Sequence, residues 1–165
     1  ALSNDGKMLA AGSSGKKGLL VIADMNQGKV ILEKEVDSAQ EFTSAAFTPD
    51  GLRVFLTNRN GLVYGIDTVS GEIKNEFTVL KPGEKNPVTG ETRSDGVVIS
   101  ADGRTAAAVV INVVHVWDIQ TGKHVEAFRP GHKLTGSIAL SPDGSLVATS
   151  DIRAGGTVRL WQVKK

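Results

Sequence analysis

A short turn sequence ending in Asp-Gly recurs four times along this chain of 165 residues, each time after small or apolar residues. The four copies are Ala1–Gly6, Ala46–Gly51, Val98–Gly103 and Ala139–Gly144. Their aspartates stand at positions 5, 50, 102 and 143, so the steps between them are 45, 52 and 41 residues long. A repeat of this length indicates one supersecondary unit that is stacked several times.

A second mark recurs in phase with the first: Asp24, Asp67 and Asp118 are each followed four residues later by a glycine. The segments between the marks are short and rich in Val, Ile, Phe and Thr, which is typical of strands joined by tight turns. No segment has a sustained apolar period of about 3.6 residues, so helices are not expected. Four short strands in each unit predict one blade of a β-propeller.

The predicted fold class is therefore all-β: a β-propeller with four blades, each a four-stranded antiparallel sheet with strands a to d counted from the axis outward. The blades cover approximately residues 1–37, 38–81, 94–129 and 130–165. A polar loop at 82–93 is inserted between the second and third blades and accounts for the longest step. In the second blade, the outermost strand is predicted at Glu72–Leu80.

Several motifs of the third and fourth units resemble those of the WD-repeat family. They are Trp117-Asp118 at the end of strand c, its variant Val158–Trp161, the a–b turn Ser141–Gly144, and Gly131-His132 before strand a. In the first two units Ala23 and Ile66 stand in place of the Trp. The resemblance covers essentially the whole chain and implies structural roles for Trp117, Asp118, His132 and Trp161. It implies no particular activity, because one fold hosts many functions.

The family often ties each blade together with a His–Ser/Thr–Asp–Trp hydrogen-bond network. The matching residues of the fourth blade are His132, Thr149 or Ser150, and Trp161. However, Gly155 stands at the expected Asp position of this blade, and Ile111 stands there in the third blade. We therefore expect apolar packing, with both tryptophans largely buried between blades, to matter more than the polar network.

Seven or eight blades are usual in the family, so four blades predict part or half of a seven- or eight-bladed ring. The first blade has only Ala1–Ser3 for strand a, and no strand d follows Trp161. Such an arc exposes apolar faces and a strand edge, which attract partners. Two completions stay open: further blades from the same parent chain, which the lack of an initiator Met favours, or a homodimer that completes an eight-bladed ring.

The motifs of the chain argue against an enzyme. The histidines, His115, His124 and His132, stand in separate segments without an acidic cluster, so no metal ligand is predicted. No Gly-x-Ser-x-Gly elbow occurs, and the turn aspartates serve local backbone bonding. Cysteine is absent, which excludes thiolate chemistry. No catalytic residue and no cofactor is expected.

Charge is distributed unevenly between the two ends of the predicted blades. The b–c and d–a loops share one end, which collects an excess of basic residues and also carries the inserted loop. The residues predicted there to bind a partner are Lys16, Lys17, Arg59, Arg129 and Arg153. The opposite end collects the turn aspartates, and an alternative explanation for this polarity is that turn chemistry places Asp there whatever the function.

The sequence favours a non-catalytic protein-interaction scaffold that binds a protein partner of unknown identity through loops on one face. The formal net charge is +1, so neither nucleic acid nor a membrane is expected as a partner. The alternative is a ligand-sensing or enzymatic propeller whose site lies in blades missing from this chain. The apolar strands a, which include Ala46–Thr48, Val97–Ile99 and Ile138–Leu140, weigh against a channel-lined site in these blades. The cellular compartment is not indicated.

Overall fold

The computed structural model describes residues 1–13, 17–36, 41–78, 94–131, 135–151 and 156–164. Fourteen strands form the regular structure of these ranges, and no α-helix occurs within them. The strands are β1 (Met8–Gly12), β2 (Gly18–Asp24), β3 (Lys29–Val36), β4 (Phe42–Phe47), β5 (Arg53–Asn58), β6 (Leu62–Asp67), β7 (Ile73–Thr78), β8 (Ser94–Ile99), β9 (Thr105–Val110), β10 (Val113–Asp118), β11 (His124–Phe128), β12 (Thr135–Leu140), β13 (Leu146–Asp151) and β14 (Val158–Gln162). Within the same ranges, no helix could span a membrane.

The strands form four antiparallel sheets, in which each strand pairs with the next along the chain. The first blade is β1–β3, the second β4–β7, the third β8–β11 and the fourth β12–β14. The prediction of an all-β propeller fold is thus confirmed, with four strands in the two middle blades. In the first blade, strand a is reduced to an isolated bridge between Leu2 and Leu9. Through residue 164, the described part of the fourth blade contains no strand d.

The outermost strand of the second blade begins one residue later than predicted. It starts at Ile73 rather than Glu72, because Glu72 closes the preceding turn, where its carbonyl accepts the N–H of Asp67 at 2.9 Å. Residues 79 and 80 lie outside the described ranges, as does the inserted loop at 82–93.

The Asp-Gly repeat forms the turn between strands a and b in every blade. In the second blade, the Thr48 hydroxyl donates to the Asp50 carboxylate at 2.6 Å, and that carboxylate accepts the N–H of Leu52 at 3.0 Å. Gly51 donates its N–H to the Thr48 carbonyl at 2.9 Å and has a φ of +71°, a conformation that favours glycine. The other three blades repeat the hydroxyl-to-carboxylate bond. The repeat therefore reverses the chain at the same end of each blade.

Apolar side chains fill the space between consecutive blades. Leu20 and Ile22 of the first blade pack with Leu56 and Tyr64 of the second. Two further clusters join the second blade to the third and the third to the fourth. All six residues of β9, Thr105–Val110, are buried, as a strand pressed between two blades requires. The core is therefore a series of three interfaces between stacked sheets.

Candidate binding surfaces

The predicted basic surface lies at the b–c and d–a end of the blades. Lys17 stands between β1 and β2, Arg59 follows β5, and Arg129 follows β11. Because successive strands are antiparallel, these three connections emerge at the same end of the sheets, and all three side chains are exposed. Lys16 and Arg153 belong to the same set but lie outside the described residues.

Acidic neighbours partly neutralise this surface. The Lys17 ammonium is 2.8 Å from the Glu35 carboxylate, and the Arg59 guanidinium is 2.7 Å from the Glu41 carboxylate. Both pairs are exposed to solvent, where such ion pairs contribute little to stability. This surface therefore carries cations and carboxylates side by side rather than a continuous basic patch.

The acidic groups of the opposite end are bonded to their own turns. Asp118, the Asp of the Trp-Asp pair, accepts the Thr121 N–H at 2.7 Å and the Thr121 hydroxyl at 2.8 Å. These hydrogen bonds lower the pKa of Asp118 below its usual value, and the Ser141 and Ser145 groups do the same to the pKa of Asp143. Turn stabilisation thus accounts for carboxylates at this end without a ligand.

The two tryptophans lie on strand c and face the preceding blade. Trp117 is 3% exposed, and its ring stacks on Phe77 of the second blade with centroids 5.0 Å apart. Trp161 is only half-buried, so the expectation of a largely buried ring is wrong for this residue, whose blade has no strand d among the described residues. Its ring contacts Phe128 of the third blade at 5.2 Å between centroids, and its indole N–H donates to the Thr149 hydroxyl at 3.1 Å. The network residue His132 lies outside the described residues.

Two histidines that stand apart in the sequence are neighbours in the structure. His115 on β10 and His124 on β11 share a hydrogen bond of 3.2 Å between Nδ1 and Nε2. Both rings contact Trp117, at centroid distances of 5.8 and 5.7 Å. Burial, together with the nearby His124 charge, lowers the pKa of His115 to about 4. A cavity of about 350 Å³ opens beside the pair and is also lined by Glu76.

The sequence does not reveal this pair, because the two residues lie on separate strands and only the strand register brings them together. The pairing register places His124 opposite Trp117, after a bulge between Val116 and Trp117. The signal that could have found it is the Asp118–Gly122 turn mark, which folds strands c and d into one hairpin. Among the described residues, no group of three or more His, Cys, Asp or Glu side chains is arranged to hold a metal ion.

A shallow depression lies at the a–b end of the blades. Its volume is about 310 Å³. Four of its lining residues occupy the same position in the four repeats: Leu2, Phe47, Ile99 and Leu140. These four side chains agree with the apolar strands a of the sequence, and the polar residues Asn4, Thr48 and Ser100 also line the depression.

Comparison with known proteins supports this fold. No protein-family model matches the chain. The U3 snoRNP-associated protein-like YAO of Arabidopsis thaliana is 31% identical over 113 residues, which are 61% of this chain and 22% of that protein.

Two solved structures have a similar fold. The β-propeller domain of Cps50 (Swd1) from Myceliophteria thermophila has a TM-score of 0.76 and 18% identity, covering 99% of this chain and 53% of that chain. Hydrazine synthase of Kuenenia stuttgartiensis has a TM-score of 0.76 and 22% identity, covering 98% and 44%. The chain thus spans well under two thirds of the length of each of these relatives. The likeness in structure identifies the chain as a set of β-propeller blades, and its Trp-Asp pair and Asp-Gly turns resemble those of the WD-repeat family.

Proposed function

We propose that the chain is a non-catalytic scaffold that binds a protein partner at the b–c and d–a end of its blades. The observation that carries the proposal is that Lys17, Arg59 and Arg129, from three successive blades, project as exposed cations from one end of a stacked β core. Loops held on a rigid scaffold are where binding residues tend to lie. The similar Arabidopsis protein is named for association with a ribonucleoprotein particle, which is in keeping with a role in assembly.

The pattern of charge favours a partner with an acidic surface. Each of the three cations is exposed to solvent, and two of them are paired with an acidic side chain. Electrostatic complementarity of this kind mainly sets the association rate and the specificity of a complex. The sequence predicts Lys16 and Arg153 at the same end, where they would extend the surface.

Two matched charge-reversal variants test the surface. The first changes Lys17, Arg59 and Arg129 to Glu. The second changes the same number of cations at the opposite end, Lys7, Arg104 and Lys123, to Glu. A protein captured from a lysate of the source cells by the wild-type chain is purified, and its Kd for each variant is measured at low and high salt. We expect the first variant to bind more weakly with a reduced salt dependence, and the second to bind like the wild type. Equal affinities for the two variants would move the site elsewhere.

An enzymatic or ligand-sensing propeller is the alternative function. A hydrazine synthase adopts the same fold at 22% identity, so the fold itself is compatible with enzymes. In this alternative the reaction centre belongs to blades other than these four. Activity in a longer parent protein that survives both charge-reversal variants would favour it over the scaffold.

We propose in addition that the outer sheets of the first and fourth blades pack against each other in two copies of the chain, which completes an eight-bladed ring. On the fourth blade, Val158 and Leu160 are 65% and 70% exposed. They hold the repeat positions at which the third blade buries Val114 and Val116. The exposed face of the fourth blade therefore carries the same kind of apolar side chains as a buried interface between blades.

Sedimentation velocity at micromolar concentration tests this association. The wild type should sediment as a dimer. The double variant V158K/L160K should sediment as a monomer, because two charges enter the contact. The control V69K changes a side chain that is 83% exposed in a turn and should leave the dimer intact. A stable wild-type monomer would contradict this part of the proposal.

A further inference from the structure

We propose that His115 and His124 form a two-histidine site for a divalent transition-metal cation of the Zn²⁺ class, on the outer rim of the third blade beside Trp117. This site is independent of the partner-binding proposal, since it lies on the c–d hairpin and not at the b–c and d–a end. It goes beyond the expectation from the sequence, which predicted no metal ligand because the histidines stand in separate segments without an acidic cluster.

The separation of the two nitrogens suits such an ion. The Nδ1 of His115 lies 3.2 Å from the Nε2 of His124. Zinc binds imidazole nitrogen at about 2.0–2.1 Å, so two nitrogens at a tetrahedral angle lie about 3.3 Å apart. The pair therefore holds both donor atoms at the chelating distance without a change of the strand register.

The rings are held in place before any ion binds. His115 stacks on Trp117 with an interplanar angle of 20°, and His124 meets the same indole nearly edge-on at 72°. Trp117 is in turn stacked on Phe77 of the neighbouring blade. A site whose ligands are fixed by packing loses less entropy when it binds.

Metal binding replaces the hydrogen bond that the two rings now share. Nδ1 of His115 and Nε2 of His124 are 3.2 Å apart, with a proton on one of them. In the metal-bound form both nitrogens donate lone pairs to the ion, and each ring carries its proton on the other nitrogen.

The cavity of about 350 Å³ that both histidines line leaves room for further ligands. Glu76 lines this cavity and supplies a negative charge near the ion. Because the described residues hold no arranged group of three ligands, water completes the coordination shell. The site is therefore of the open kind, in which an exchangeable ligand can replace water.

Quenching of tryptophan fluorescence tests the site directly. The chain has two tryptophans, so the variant W161F leaves Trp117 as the reporter, whose ring centroid is 5.8 Å from that of His115. Titration with CuCl₂ at pH 7.5 should give saturable quenching, because Cu²⁺ binds imidazole strongly and quenches nearby indoles. Excess ZnCl₂ should displace it and restore the fluorescence.

Matched variants decide whether the pair is responsible. In the W161F background, H124Q removes a ligand from an exposed position of β11 and should weaken Cu²⁺ binding by about tenfold or more, because the chelate is lost. H132Q removes the remaining histidine and should leave the affinity unchanged. Equal affinities of H124Q and H132Q, or quenching that excess Zn²⁺ does not reverse, would overturn the proposal.

Isothermal titration calorimetry on the wild-type chain tests the same site without the W161F substitution. Titration with ZnCl₂ should give one ion per chain, and H124Q should abolish that binding or reduce it about tenfold. Absence of saturable heat with the folded wild type, or the same isotherm for H124Q, would also overturn the proposal.

Discussion

Truncation of Trp117 to alanine should destabilise the chain strongly. A buried aromatic side chain removes roughly 150–250 Å² from water, which corresponds to about 4–6 kcal/mol at about 25 cal/mol per Å². Trp117 is 3% exposed and lies between two blades, so little of this area is discounted. Measured losses for Trp or Phe to Ala in cores are about 3–5 kcal/mol, and we expect a value in that range.

The assay is urea denaturation followed by far-UV circular dichroism, with the free energy of unfolding extrapolated to water. A loss of about 3–5 kcal/mol is a large share of the roughly 5–15 kcal/mol that holds a typical domain together. W161A should cost less, because Trp161 is half-buried. V69A, at a residue 83% exposed, should cost nothing measurable.

The stacking itself can be separated from the burial. A double-mutant cycle with F77L and W117A should show a coupling of about 0.5–1.5 kcal/mol, because the two rings stack at 5.0 Å. A midpoint for W117A equal to that of V69A would refute the reasoning, since it would mean that the interface between the second and third blades does not depend on this ring.

Three further predictions concern turns and hydrogen bonds. G144A should lower the melting temperature more than G28A, although both glycines have positive φ. A Cβ added at Gly144 would lie 2.7 Å from the Thr105 Cβ, whereas a Cβ added at Gly28 would have no heavy atom within 4 Å. An equal fall in melting temperature for the two variants would contradict the contact between residue 144 and Thr105. T149V should cost about 1 kcal/mol, because the Trp161 indole N–H loses its acceptor, and an unchanged urea midpoint would exclude that bond. The a–b turn aspartates with pKa lowered by hydrogen bonds stabilise the fold above the ordinary carboxyl pKa of about 3.9, and this stability is lost as pH falls. A free energy of unfolding that stays constant from pH 6 to about pH 2 would contradict it.

The fold could be predicted from the sequence because its information is local and repeated. Each Asp-Gly turn is specified within a few residues: the Thr48 hydroxyl, the Asp50 carboxylate and the positive φ of Gly51 belong to one short segment. Because this turn occurs once in each blade, the number of blades can be predicted from the sequence without knowledge of long-range contacts.

The surfaces were less predictable, because they depend on which side chains meet across strands. The end of the blade that carries Arg59 follows from topology, but its pairing with Glu41 depends on how the strands are arranged in space. The contact between His115 and His124 depends on a bulge in the β10–β11 ladder, which shifts the register beside Trp117. A bulge of one residue has no reliable sequence signal, although it decides which side chains are neighbours.

The serial arrangement of the three buried interfaces has a consequence for how the chain loses structure. The second and third blades are packed on both faces, whereas the first and fourth each contribute one face to a buried cluster. In a stack of this kind the total stability is approximately a sum over units and their neighbour contacts. Amide hydrogens of β5 and β9 should therefore exchange with solvent most slowly, and fraying should travel inward from the outer sheets. The outer sheets should therefore open locally before the second and third blades unfold together.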